Sequence, residues 1–149
     1  MLRPARTRLA AGAGAAVSRA SRALGRGEGT VAGGRVALAI DPGALARLAR
    51  DRPVALVSGT NGKTTTTRLL AAALQTVGPV LTNAGGANLP TGLVTALWDG
   101  PRDARGVLEV DEAWLAAVAA DVRPLCMALL NLSRDQLDRV SEVRSLAAR

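Results

Sequence analysis

At 149 residues with 48% hydrophobic side chains, the chain is long enough for one domain with a buried core, which argues against a long fibrous or repeat protein. A single cysteine excludes an internal disulfide, and the lack of histidine excludes the usual histidine-rich metal site. Two tryptophans with no tyrosine or phenylalanine leave no stacking platform for single-stranded nucleic acid.

The net charge of +7 is unevenly spread: residues 1–26 hold six arginines and no acid, whereas the remainder sets 13 bases against 12 acids. This N-terminal stretch reads as a basic, amphipathic helical arm exposed to solvent, with a cleaved leader as the alternative reading of Leu9 to Val17. No window is apolar and long enough for a transmembrane helix, and a reducing, cytoplasmic setting is expected. Gly25 to Gly34 reads as a linker, Arg35 to Ile40 as a strand, and Pro42 to Arg50 as a short helix with Asp41 as N-cap. The organisation expected is therefore an arm over 1–26, a linker with a short strand and helix over 27–52, and the main domain over 53–149.

From Pro53 onward a regular beat sets in. Pro53 to Ser58 is a continuous apolar run of the kind a strand buried on both faces shows. Lys63 to Val77 has helical spacing, stopped by Gly78 and Pro79. Val80 to Thr82 is a strand, Pro90 to Trp98 a helix, Gly106 to Val110 a strand, Asp111 to Ala120 a helix and Leu125 to Asn131 a strand, with Ser133 capping a last helix. Alternation of strand and helix predicts an α/β fold: a parallel sheet with right-handed crossovers and helices on both faces. Cys126, inside an apolar strand, is expected to be a buried thiol without chemistry, and Trp98 and Trp114 to be packing residues.

The first strand runs straight into Gly59-Thr60-Asn61-Gly62-Lys63-Thr64-Thr65 and then a helix. Strand, glycine loop, lysine, hydroxyl, helix is the design of a phosphate cradle: backbone amides and the helix N-terminus face the anion, Lys63 reaches the outer phosphates, and the Thr64 hydroxyl is placed for Mg²⁺. Lys63 is the only lysine among nineteen basic residues. The strict pattern G-x-x-x-x-G-K-[ST] asks for glycine where the chain has Val57, so by the general rule the match is imperfect. The competing reading is a plain turn followed by a threonine-capped helix.

The loop resembles the ATP-binding loop of the Mur ligase superfamily, whose variant lacks that first glycine. Three further stretches, Gly85-Gly86-Ala87-Asn88-Leu89-Pro90, Leu108-Glu109-Val110-Asp111-Glu112-Ala113 and Asn131 through Arg139, follow in the family's order and spacing, so that the resemblance spans about residues 20 to 145. It implies a P-loop-type sheet that forms the N-terminal part of a central ATP-binding domain, truncated here and preceded by the basic arm.

Glu109, near the C-terminal end of a buried strand, stands where an open parallel sheet places its ligand crevice, and in Mur ligases the matching glutamate binds Mg²⁺. The alternative is that Glu109, Asp111 and Glu112 form an acidic helix start, which suits the latter two better. Gln136 stands where many Mur ligases carry a metal-binding histidine; its amide oxygen suits Mg²⁺, and a helix-surface glutamine is the equal alternative. Asn88 faces either the γ-phosphate and acceptor carboxylate, as a catalytic residue beside Lys63, or caps the helix from Pro90. Thr82 and Asn83 are weaker candidates. Asp135 and Asp138, flanked by Arg134 and Arg139, read as a solvated salt-bridge network.

The resemblance is strongest to the amidating branch of the superfamily. It implies an ATP- and Mg²⁺-dependent ligase subunit of peptidoglycan synthesis: a carboxylate of lipid II is phosphorylated to an acyl phosphate, and ammonia from a separate, GatD-like glutamine amidotransferase converts its D-glutamate to D-isoglutamine. Contact with the inner membrane face is compatible with such a lipid-linked substrate. The piece is expected to bind Mg-ATP weakly and not to ligate alone. Alternatives are another Mur-like peptide ligase of the cyanophycin synthetase kind, and a non-catalytic nucleotide-binding or nucleic-acid module using the basic arm.

Overall fold

The computed structural model describes residues 4–24, 29–83 and 87–133. Four strands, β1 (Val54–Ser58), β2 (Val80–Thr82), β3 (Arg105–Glu109) and β4 (Cys126–Leu129), form an all-parallel sheet in the order β2-β3-β1-β4. Among the described residues six α-helices accompany them: α1 (Ala5–Ala23), α2 (Thr30–Ile40), α3 (Ala44–Ala49), α4 (Lys63–Gln75), α5 (Pro90–Asp99) and α6 (Leu115–Val122). This is the α/β architecture the alternating pattern predicts.

All five residues of β1 are buried, because helices cover both sides of the central strands. On one face Val54, Leu56, Leu108 and Val110 pack with Leu45 and Leu48 of α3, Leu93 and Leu97 of α5, and Val118 of α6. On the other, Val57 and Val107 pack against Ala71 of α4, with Leu70 and Leu74 beside them. Val57, the residue that breaks the strict loop pattern, is thus a core side chain with 0% exposure.

The N-terminal region departs from the sequence reading. Gly25 to Gly34 and Arg35 to Ile40 were expected as linker and strand, yet Thr30–Ile40 is one helix. Its buried positions, Gly33, Gly34, Ala37 and then Asp41, recur at helical spacing, and that small-residue stripe is what lies against its neighbours. A methyl group on Gly33 would overlap the Gly14 carbonyl and Ser18 of α1, and one on Gly34 would overlap Thr91 of α5. Glycine here permits close helix approach rather than marking a loop. The helix α1 is not a free arm either: Thr7, Ala10, Ala11, Gly14 and Ser18 are buried along one face, while Arg8 and Arg19 point outward.

Asp41 does not cap α3, whose N-cap is Gly43 and has no side-chain cap. Instead Asp41, fully buried, accepts hydrogen bonds from Thr7 Oγ1 at 2.8 Å and from Arg47, binding α1 to α3. Pro42 and Gly43 form the turn between α2 and α3, which is why the helix begins two residues later than expected. The helix expected from Asp111 opens with a 3-10 turn, Glu112–Trp114, capped by the Asp111 side chain accepting from the Ala113 amide at 3.0 Å.

Cys126 is also a correction, since its thiol is exposed. Its strand, β4, lies at the end of the sheet and pairs only with β1 among the described residues. Leu125, Met127 and Leu129 are 81%, 51% and 65% exposed, so an apolar run need not be a buried one. Trp98 packs against the core, whereas Trp114 is 46% exposed. No helix among the described residues is long and apolar enough to cross a membrane.

Candidate functional site

The strand order sets the position of the site. The chain leaves β1 towards α4 on one face of the sheet, and leaves β3 towards α6 on the other, although β1 and β3 are neighbours. Adjacent strands whose exits diverge open a crevice at their C-terminal ends. Val57 and Glu109 are register partners there, so the loop after β1 and the last residue of β3 face one another.

Gly59 and Gly62 give the loop its shape. Gly59 has φ +145°, and a Cβ would lie 2.9 to 3.0 Å from Leu130 and the Asn131 backbone. Gly62, at φ +85°, is the N-cap of α4 in the left-handed region. Beyond it the amides of Lys63, Thr64 and Thr65 begin the helix and have no intrahelical acceptor, so they and the positive end of α4 are available to an anion.

Lys63 curls over its own loop. Its ammonium donates to the carbonyl of Gly59, to that of Thr60 at 3.1 Å, and to Glu112 Oε2 at 3.4 Å. The Thr64 hydroxyl donates to Glu109 Oε2 at 2.8 Å. Glu109 is 5% exposed, and its peptide is held at both ends by Asn83: the Glu109 amide donates to Asn83 Oδ1 at 2.8 Å, and Asn83 Nδ2 donates to the Glu109 carbonyl at 2.7 Å. Asn83 follows the last residue of β2 and continues the pairing with β3 through a side chain. A hydroxyl and a carboxylate side by side next to a lysine form a hard-oxygen donor set that fits Mg²⁺.

The loop's first half behaves differently from the expected cradle. The Thr60 amide donates to the Asn131 carbonyl at 2.9 Å, and the Asn61 amide to Asn131 Oδ1 at 3.0 Å. Asn131 Nδ2 returns a bond to the Asn61 carbonyl at 3.0 Å, and Thr60 Oγ1 accepts from the Ser133 amide at 3.0 Å. These two amides are occupied, and Thr60 and Asn61 fix the loop to the end of β4. Asn131 was legible only as part of a family stretch, and no local rule gives its role as a staple. A cavity of about 310 Å³ opens beside it, lined in part by Gly59, Glu112, Leu115, Leu129 and Leu132.

Asn88 is half-buried, its carbonyl accepts from the Asp111 amide at 3.1 Å, and the N-cap of α5 is Leu89 without a side-chain cap, so the capping alternative for Asn88 is not what the helix uses. Gly85, Gly86, Gln136, Asp135 and Asp138, and the helix expected after Ser133, lie outside the described residues. Thr82 is half-buried at the end of β2, paired with Val107.

A parallel α/β sheet whose central strand runs through a lysine-bearing glycine loop into a helix defines the class of fold. Within that class the chain belongs to the Mur ligase family: the family's middle domain matches residues 57–148. It is 40% identical over 122 residues to the lipid II isoglutaminyl synthase (glutamine-hydrolyzing) subunit MurT of Streptococcus pneumoniae, covering 78% of this chain and 27% of that protein. The MurT of Staphylococcus aureus strain N315 is 36% identical over 129 residues, covering 84% and 29% respectively. The UDP-N-acetylmuramoylalanine--D-glutamate ligase of Desulfotalea psychrophila is 39% identical over 105 residues, covering 70% and 22%. The chain spans less than a third of the length of these relatives.

Proposed function

We propose that the chain is the phosphate-binding part of an ATP-dependent ligase subunit that amidates the D-glutamate of lipid II, with ammonia supplied by a separate glutamine amidotransferase. The supporting observation is the Thr64 hydroxyl bonded to the buried Glu109 carboxylate beside Lys63. The chain's likeness to MurT subunits supports that choice of substrate and partner. Residues 53–149 are read as the N-terminal part of the central domain, and the packed helices before them as its support.

In this reading the amides opening α4 and the Lys63 ammonium bind and align the nucleotide phosphates. Thr64 and Glu109 would hold Mg²⁺, which when bound would supply charge neutralisation for phosphoryl transfer. Gln136 is retained as a further oxygen donor and Asn88 as a contact to the phosphate or acceptor carboxylate. The γ-phosphate passes to the substrate carboxylate, ammonia attacks the resulting acyl phosphate, and inorganic phosphate leaves as the amide forms. Alignment and charge neutralisation are the main demands of such a transfer, and rigid backbone donors meet them.

The test is lipid II amidation in the complete protein together with its amidotransferase, followed by mass spectrometry of the stem peptide. Lys63→Ala is expected to cut turnover by roughly 10²–10³, the loss typical of a key charge-stabilising donor. Turnover unchanged by that substitution refutes the phosphate role of the loop. The similarity to a D-glutamate-adding ligase supports a second reading, a ligase whose nitrogen comes from an amino acid. Incorporation of a free amino acid in place of ammonia distinguishes it.

A further inference from the structure

We propose that Glu112 is the resting counter-ion of Lys63 and acts as a positioning residue that incoming phosphate must displace. This rests on the reading of the loop as a phosphate site. An ammonium carries three N–H donors, and all three of Lys63 have acceptors: two loop carbonyls and the Glu112 carboxylate. A phosphate oxygen therefore reaches Lys63 only by replacing one of them. The carbonyls of Gly59 and Thr60 belong to the loop's own frame. Glu112 is the charged competitor, and its 3.4 Å contact is the longest of the three.

The two side chains are only 14% and 19% exposed, so solvent and salt weaken the pair less than they would a surface pair. Glu112 also stands apart from the metal-binding candidate. Glu109 is bonded to Thr64 at the end of β3, whereas Glu112 lies in the 3-10 turn after it, on the route to α6. Glutamate at this position balances the Lys63 charge from within the chain. A single weakly held anion gains little by displacing it. A magnesium-bound nucleotide, gripped at several points, recovers the loss elsewhere.

Because Lys63 is the sole lysine, its acylation by an uncharged succinimidyl ester can be followed by peptide mass spectrometry in the 149-residue chain, with the Met1 α-amine as internal reference. In Glu112→Gln, which keeps size and removes charge, Lys63 labelling is expected to rise roughly three- to tenfold relative to Met1, as release of a partly shielded ion pair predicts. The Mg-ADP concentration that halves Lys63 labelling should fall by a similar factor. Asp121→Asn, which removes an exposed acid from α6, should change neither value.

Unchanged labelling in Glu112→Gln overturns the latch. Faster labelling without tighter nucleotide protection overturns the displacement. Absence of nucleotide protection in both proteins, with Mg-ADP raised far enough to fill a weak site, refutes the phosphate-loop reading and the displacement with it, even where the labelling rates show the ion pair to exist.

Discussion

The loop at the end of β1 and the helix pair α1–α2 are both rich in glycine, and they use it in opposite ways. In the loop, Gly59 and Gly62 adopt positive φ so that the backbone can turn into the start of α4. In the helix pair, Gly14 and Gly33 have ordinary helical backbone and serve by lacking a side chain where two helices cross. The loop is held by its own turn geometry and by a side-chain staple to Asn131, 70 residues along the chain. The pair is held by contacts spanning tens of residues, such as Thr7 to Asp41. One residue type thus marks a break in one place and tight packing in the other, and only the partner surface tells which.

Substitutions can break this division between a site and its support. Asp41→Ala removes the acceptor of the buried Thr7 hydroxyl and leaves Arg47, which also donates to Thr7 Oγ1, without its carboxylate. It is expected to cost about 3 kcal/mol by chemical denaturation, the low end for breaking a buried pair because the Arg47 side chain is 33% exposed. Nucleotide protection of Lys63 should be unchanged in the folded fraction, and weakened protection would merge the two regions into one functional unit. Gly33→Val forces α1 away from α2, with an expected loss of about 1–3 kcal/mol in the same assay.

Asn131→Ala should show the reverse pattern. Releasing the loop from β4 is expected to weaken Mg-ADP protection by roughly fivefold, about 1 kcal/mol, with a smaller change in stability. A loss confined to stability would make Asn131 a structural residue only. The smallest effect belongs to Gly12, which is exposed in α1 with open space where a Cβ would stand: Gly12→Ala should stabilise by about 0.5–1 kcal/mol, the helix-interior difference between the two residues. Destabilisation there would show that the outer face of α1 has a contact of its own.

The same contrast explains what could be read beforehand. The run Val54 to Ser58, the two loop glycines, Lys63 and the helix stop at Gly78 each carry a local signal, so the sheet and its loop were legible from spacing. Glu109 was legible from its place at a strand end. The α2 helix was not, because Thr30 to Gly34 has the composition of a linker and only burial against Gly14 and Thr91 makes it helical. Asp41 precedes a Pro-Gly turn and looks like a cap, while its true partners lie 34 and 6 residues away. Cys126 and its neighbours are apolar enough for a core, but strand position within a sheet is a property of topology and not of the strand. Glu112 had the look of a helix-start acid, and its contact with Lys63 depends on how β1 and β3 align.

The outer side of β4 has one more consequence, for handling. Its amides and carbonyls face no neighbouring strand among the described residues, and Leu125, Met127 and Leu129 lie bare beside them. An open edge of this kind recruits any extended chain it meets, so concentrated solutions of the isolated polypeptide should self-associate and precipitate. A lysine at Met127 would act as a gatekeeper, and soluble yield is expected to rise with it.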